Sequence, residues 1–180
     1  MKRFLLTIPT LLGTEQIVAN EVRRLGYETS EVKDGSVTFE GDAEAVCLAN
    51  INLRAAERVM IKIAEFKVTT FDELFEKVKK IKWENIIEKD AAFPVKGHSL
   101  RSVLHSVPDC QAIIKKAIVT ELSEHYGISH FEETGPLYPI QFALMKDIIT
   151  LYIDTSGENL YKRGYREKSV LAPMRETLAF

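Results

Sequence analysis

The chain has 180 residues, 46% of them apolar and 28% charged, and its 24 Lys and Arg against 26 Asp and Glu leave a net charge of −2. That length holds one good core or two small ones. No apolar run approaches the roughly 18 residues of a bilayer span, and the near-neutral balance excludes a protein that coats nucleic acid wholesale. The apolar part of Met1 to Pro9 is too short for a signal peptide and lacks a small-residue cleavage site, so a cytoplasmic protein that begins with a strand is expected. Cys47 and Cys110 are far apart and outside any Cys/His cluster, which gives neither a disulfide framework nor a zinc site. Cys110 falls in the first turn of a helix, where a thiol pKa tends to be lowered, but has no His and acid partner at useful spacing.

Lys2 to Ile8 reads as a strand, and Ile17, Val18, Val22 and Leu25 then recur at helical spacing over Glu15 to Leu25, stopped by Gly26. Tyr27 to Val32 and Ser36 to Glu40 form a hairpin across Lys33-Asp34-Gly35, because Asp-Gly readily takes the left-handed turn a tight hairpin needs. Asp42 caps a helix over Ala43 to Leu53, and Ala56 to Phe66 is a further strand. The order β-α-β-β-α-β within residues 1–67 is that of a ferredoxin-like subdomain.

A second α/β module is expected over residues 68–168, making the fold class α+β. Thr70 caps a helix with Glu73 returning the bond, and Leu74, Phe75, Val78 and Ile81 share one face. Trp83 begins a further turn and belongs to the core. Ala92 to Val95 is a short strand kept near an edge by Pro94, and Ser106-Val107-Pro108-Asp109 opens a long helix to about Tyr126. Its stripe of Ile113, Ile114, Ala117, Ile118, Glu121 and Leu122 faces inward. Ile140 to Leu144 and Ile148 to Ile153 flank the turn Met145-Lys146-Asp147 as a hairpin. Residues 169–180, with Pro173 placed to open a helix, read as a linker to a further domain.

Two windows concentrate basic charge. Lys96, Arg101, Lys115 and Lys116, with His98 and His105, stand against Asp109 alone, and Lys162, Arg163, Arg166 and Lys168 stand against Glu167. Such patches on a neutral body suit contact with a short stretch of phosphate backbone. The helix start at Ser106 has free N–H groups and a dipole that favour a phosphate, to which Ser102 and Ser106 add hydroxyls; the competing reading is an ordinary cap filled by Asp109. Lys115 and Lys116 lie at the polar edge of the same helix, as phosphate contacts or as plain solvated charges. Lys96, His98 and Arg101 flank a short strand and line a groove in the functional reading. Tyr165 is set to stack on a base with Arg163 and Arg166 on either side, or else this segment docks on another domain. The pair Glu132-Glu133 has no second acid placed near it and reads as a solvated turn.

Several long motifs carry a family resemblance. Phe93-Pro94-Val95-Lys96-Gly97-His98-Ser99, the run from Ser102 to Val119, Asp154-Thr155-Ser156-Gly157, Tyr161-Lys162-Arg163-Gly164-Tyr165-Arg166, Ala172 to Ala179 and the earlier Leu53 to Val59 resemble the THUMP-containing rRNA guanine-N2 methyltransferases of bacteria. The resemblance implies that residues 68–168 are a THUMP domain binding structured RNA, most readily rRNA. It also implies that a Rossmann-type domain beyond the linker methylates guanine N2 with S-adenosylmethionine. This chain itself lacks a glycine-rich cofactor loop and the Asn-Pro-Pro-Tyr tetrapeptide of such methylases, so no cofactor and no catalytic residue is expected in it. The alternatives are the THUMP module of a thiouridine or pseudouridine synthase, and a ferredoxin-like regulatory or oligomerisation domain.

Overall fold

A computed structural model describes residues 3–128, 130–162 and 175–178. Two compact units divide them: residues up to Lys62 together with the described residues from Asp154 on, and Ile63–Ile153. Among the described residues, no helix is long and apolar enough to cross a membrane.

In the first unit β1 (Phe4–Pro9), α1 (Glu15–Arg24), β2 (Thr29–Lys33), β3 (Ser36–Gly41), α2 (Ala43–Asn52) and the start of β4 (Met60–Lys67) follow the expected order. Their sheet runs β2-β3-β1-β4, with every pairing antiparallel. Leu6 and Ile8 of β1, Val37 and Phe39 of β3 and Val18 and Val22 of α1 are fully buried together. The hairpin turn is pinned from outside, since the Glu15 carboxylate accepts from the backbone N–H of both Gly35 and Gly13 at 2.8 Å. Those bonds to the charged form hold the Glu15 pKa below the usual carboxylate range.

The same unit contains a knot between residues about 100 positions apart. Arg58 donates to the carboxylate of Asp154, whose side chain is 2% exposed, and to the carbonyl of Gly157. Val59 N donates to Ser156 Oγ at 2.8 Å, while Thr155 N and Oγ1 both donate to the Val59 carbonyl. Asn50 closes the set, its amide nitrogen donating to Thr155 Oγ1 and its oxygen accepting from Ser156 Oγ at 2.7 Å. This explains why β4 begins at Met60 and not at Ala56: Glu57 and Val59 spend their backbone groups on Pro9 and on residues 155–160, and Ala56 makes a lone bridge to Thr10.

The second unit continues from β4 through α3 (Phe71–Lys79), a 3₁₀ turn at Trp83–Asn85, β5 (Val95–Leu100), α4 (Val107–Tyr126), β6 (Ile140–Met145) and β7 (Ile148–Asp154). Its strands run β4-β7-β6-β5, with β5 and β6 parallel and joined through α4, the helical crossover that a parallel pair requires. Thr70 caps α3 by accepting from Glu73 N, but the Glu73 carboxylate returns to Thr69 N and Oγ1, one residue earlier than a capping box predicts. Trp83 is fully buried and its Nε1 donates to the Val78 carbonyl at 2.9 Å.

The edge strand differs most from expectation. It runs over Val95–Leu100, and Ala92 contributes only a bridge to Leu137. Its residues alternate in exposure, so Val95, Gly97 and Ser99 turn toward the core and Lys96, His98 and Leu100 away from it. The polar letters of the outward face hide a strand whose inward face is anchored by Gly97. A Cβ at Gly97 would lie 2.2 Å from the Phe142 carbonyl oxygen and 2.4 Å from its ring. The glycine is required for β5 to pass beneath that ring.

Glu121 of α4 is buried and Glu84 of the 3₁₀ turn half-buried, each with one buried oxygen that finds no donor among the described residues. Burial, and then the neighbouring Glu84, push the Glu121 pKa up to about 7, while the bond from Glu121 lowers that of Glu84. One proton held on Glu121 therefore joins the two carboxyls. Because the folded pKa of Glu121 stands above the unfolded one, its contribution is complete below about pH 4 and is lost as pH rises through 7.

Three outcomes follow for chemical and thermal unfolding. Gly97→Ala is expected to lower stability by about 1–3 kcal/mol through overpacking against Phe142; an unchanged midpoint would show that β5 does not need the glycine. Arg58→Met, which leaves the buried Asp154 carboxylate without its cation, is expected to cost about 3 kcal/mol. Glu121→Gln supplies a permanent donor to Glu84 and should flatten the stability profile between about pH 5 and pH 8, with a gain on the order of 1 kcal/mol at the alkaline end. A profile as steep as the parent's would refute the shared proton.

Candidate nucleic-acid interface

The outward face of β5 places Lys96 and His98 two residues apart, roughly 7 Å along an edge strand, both exposed. Register sets Lys96 beside Gln141 and His98 beside Ala143 of β6. The chain leaves β5 through Arg101, which is exposed and holds a left-handed φ of 51°. Lys96, His98 and Arg101 make no hydrogen bond or ion pair from their side chains among the described residues. The loop that presents them is nevertheless fixed. Ser102 Oγ donates to the Leu100 carbonyl and accepts from Asp147 N at 3.0 Å, and Asp147 Oδ1 accepts from Val103 N at 2.8 Å. Ser99 Oγ donates to the Leu104 carbonyl at 2.6 Å. The Ser102 hydroxyl is thus spent on the turn.

Helix α4 begins after Ser106, whose side chain makes no capping bond, with Pro108 in the first turn and Asp109 exposed beside it. On the same helix Lys115 is engaged: its Nζ donates to the Phe93 carbonyl and to Glu133 and sits 3.6 Å from the centre of the Phe93 ring. Glu133 is consequently an ion-pair partner and not merely part of a solvated turn. Lys116 is exposed, 5.7 Å from the Phe75 ring. Cys110 is fully buried, and burial followed by the charge of Asp109 pushes its thiol pKa up, so the helix start does not activate it.

Lys162 lies in the other unit, on a groove of about 600 Å³ lined also by Cys47, Asn50, Ile51, Ser156 and Asn159. Tyr161 lies under the Arg175 guanidinium at 5.5 Å, and Arg175 pairs with Glu57; Glu176–Leu178 is a 3₁₀ turn. Arg163, Tyr165, Arg166 and Lys168 fall outside the described residues.

One basic residue escaped the sequence reading. Lys146, at φ 51° in the β6–β7 turn, is exposed, and its N–H donates to the Leu100 carbonyl, next to Arg101. No sequence signal could have joined positions 101 and 146, because their proximity is set by the pairing of β5 with β6.

Among the described residues, the four connections that run from a strand directly into an α-helix hold a single glycine, Gly13, where a phosphate-bearing cofactor cradle needs a glycine-rich turn. Among the described residues no group of three His, Cys, Asp or Glu side chains is placed to hold a metal ion.

Residues 5–60 match the model of the RlmL ferredoxin-like domain and residues 68–154 that of the THUMP domain. YpsC of Bacillus subtilis (strain 168), named as a candidate RNA methyltransferase, is 49% identical over 99% of this chain. The ribosomal RNA large subunit methyltransferase K/L of Psychromonas ingrahamii is 32% identical over 96%. The chain spans 47% of the length of the first and 23% of the second. Among solved structures, a Listeria monocytogenes protein described by inference as an N6-adenine-specific DNA methylase superposes with a TM-score of 0.93 at 51% identity, over 99% of this chain and 47% of its own. SMU.472, a candidate methyltransferase complexed with SAH, superposes with a TM-score of 0.92 at 39% identity, over 99% and 48%. The chain belongs to the family that joins an RlmL ferredoxin-like domain to a THUMP domain in the N-terminal region of larger methyltransferases.

Proposed function

We propose that this chain is the RNA-binding portion of an S-adenosylmethionine-dependent RNA methyltransferase of the cytoplasm. It presents structured rRNA to a C-terminal Rossmann-type domain that methylates guanine N2. The observation that carries the reading is the trio Lys96, His98 and Arg101, exposed and unpaired among the described residues, within the stretch that matches THUMP. The ribosomal RNA methyltransferase named among the relatives supports rRNA as the substrate class, and the SAH complex of another supports the cofactor of the distal domain.

In this reading the present residues bind and position. Lys96 and Arg101 neutralise phosphates on either side of His98, and Lys116 extends the charge along α4. Ser106 leaves the first N–H groups of α4 open to a further phosphate. Lys162, Arg163, Tyr165, Arg166 and Lys168 are a second set of RNA contacts in this reading, with the RNA-binding part ending near residue 168 and 169–180 as the connection to the catalytic domain.

Binding to a labelled rRNA hairpin and to a DNA hairpin of the same sequence, across a salt series, tests this. Affinity for RNA should fall linearly with the logarithm of salt, and Lys96→Glu/Arg101→Glu should reduce the slope by about 2 and the affinity by about tenfold or more. An unchanged slope in the variant would remove β5 from the interface, and equal binding to DNA would favour a DNA substrate.

A further inference from the structure

Strand β2 is the open edge of the first unit's sheet: β3 pairs with one side of it and, among the described residues, no strand lies on the other. Its register with β3 sets Lys33 against Ser36 across the two-residue turn Asp34-Gly35, and Val32 against Val37. The residues flanking such a turn bond to each other and antiparallel pairs alternate, so the N–H and C=O of Val32 point away from β3 into the open edge. Residues 30–33 are exposed, Val32 at 42%. Glu31 and Lys33 share one face of the strand, opposite to that of Val32, and Lys33 Nζ lies 2.7 Å from Glu31 Oε1. Proteins commonly blunt an open edge with charge. Here the two charges have opposite sign and stand symmetrically about Val32.

We propose that β2 is a self-pairing edge, at which a second copy of this chain adds its own β2 antiparallel about a twofold axis through Val32. In that register the two Val32 residues exchange N–H···O=C bonds, and Glu31 of each copy comes directly opposite Lys33 of the other. The four charges then alternate in sign around the axis. Neighbouring twofold registers are selected against, since centring on Glu31 or on Lys33 sets two carboxylates or two ammonium groups face to face. Charge along the whole edge runs the same way. At the Thr29 end Arg23 and Arg24 outnumber Glu28, with Arg23 donating to Thr29 Oγ1 at 3.2 Å; at the turn stand Asp34 and the Glu15 carboxylate that accepts from Gly35 N. Antiparallel pairing brings each end beside its opposite. A five-residue strand buries less than the roughly 800 Å² per partner of a stable interface, so the dimer is weak, with a dissociation constant on the order of 100 μM. Because each copy meets the other through the same strand, association closes at two.

Sedimentation of the 180-residue protein and its variants at low salt, from about 10 μM to 1 mM, tests the pairing. The parent is expected to pass from monomer to dimer over that range. Glu31→Lys and Lys33→Glu should each weaken the dimer about tenfold, since either sets like charges opposite each other at two places. An equimolar mixture of the two variants restores opposite signs at both places and should associate as well as the parent. Val32→Pro removes the outward donor, a change an edge strand tolerates, and should abolish the dimer. Thermal melts check each fold, and the mixture decides if Val32→Pro does not fold. A parent that stays monomeric at about 1 mM overturns the inference. A dimer that survives in folded Val32→Pro also overturns it, placing the contact on another surface, and so does a mixture no more associated than its separate components.

Discussion

Asp154 is the residue on which the chain's path depends. A carboxylate only 2% exposed is costly to bury, and it persists here because Arg58 and the N–H of Ser156 are both turned to it. Around that charge, Thr155 and Ser156 exchange bonds with Val59 and Asn50, so that the end of β7 is tied to the start of β4 by side chains as well as by backbone. The whole of Ile63–Ile153 is thereby an excursion that leaves from one strand and comes back on its neighbour. A strand order with β4 beside β7 requires the two ends to be placed accurately, and polar groups with fixed directions do this better than apolar contact alone.

Within that excursion the sheet has two unlike sides. Helices α3 and α4 bury Phe142, Leu144, Leu151 and Trp83 on one side, where Gly97 lets the edge strand approach the Phe142 ring. Polar or half-exposed residues of β5 and β6 occupy the other. One strand therefore serves two masters: its odd positions are dictated by packing, and its even positions are free to carry charge. Substitutions at Lys96 or His98 leave the core untouched, while the glycine between them has no such freedom.

Much of this was legible in the residues. The Asp34-Gly35 turn, the Asp42 and Thr70 caps, the aliphatic period of α4 and the turn at Lys146-Asp147 are local signals, and each element they mark is present. What stayed hidden depends on partners far away in sequence. Strand β5 was mislocated because Lys96, His98 and Ser99 look like loop residues until Phe142 is seen lying against Gly97. Lys115 gave no hint that Phe93 and Glu133 hold it, and Cys110 none that burial outweighs the helix start. Lys96, His98 and Arg101 were legible only as a basic cluster flanking a strand, and Lys146 joins them only through strand pairing.

The knot also sets a clock on biosynthesis. Arg58 emerges from the ribosome long before Asp154, and at about 5–20 residues per second the wait for its partner is roughly 5–20 s. During that time the first four strands can pair, but Asn50 and Val59 must remain solvated or find substitutes. The nascent first unit is therefore a waiting template, completed only when its own residues from Asp154 on arrive.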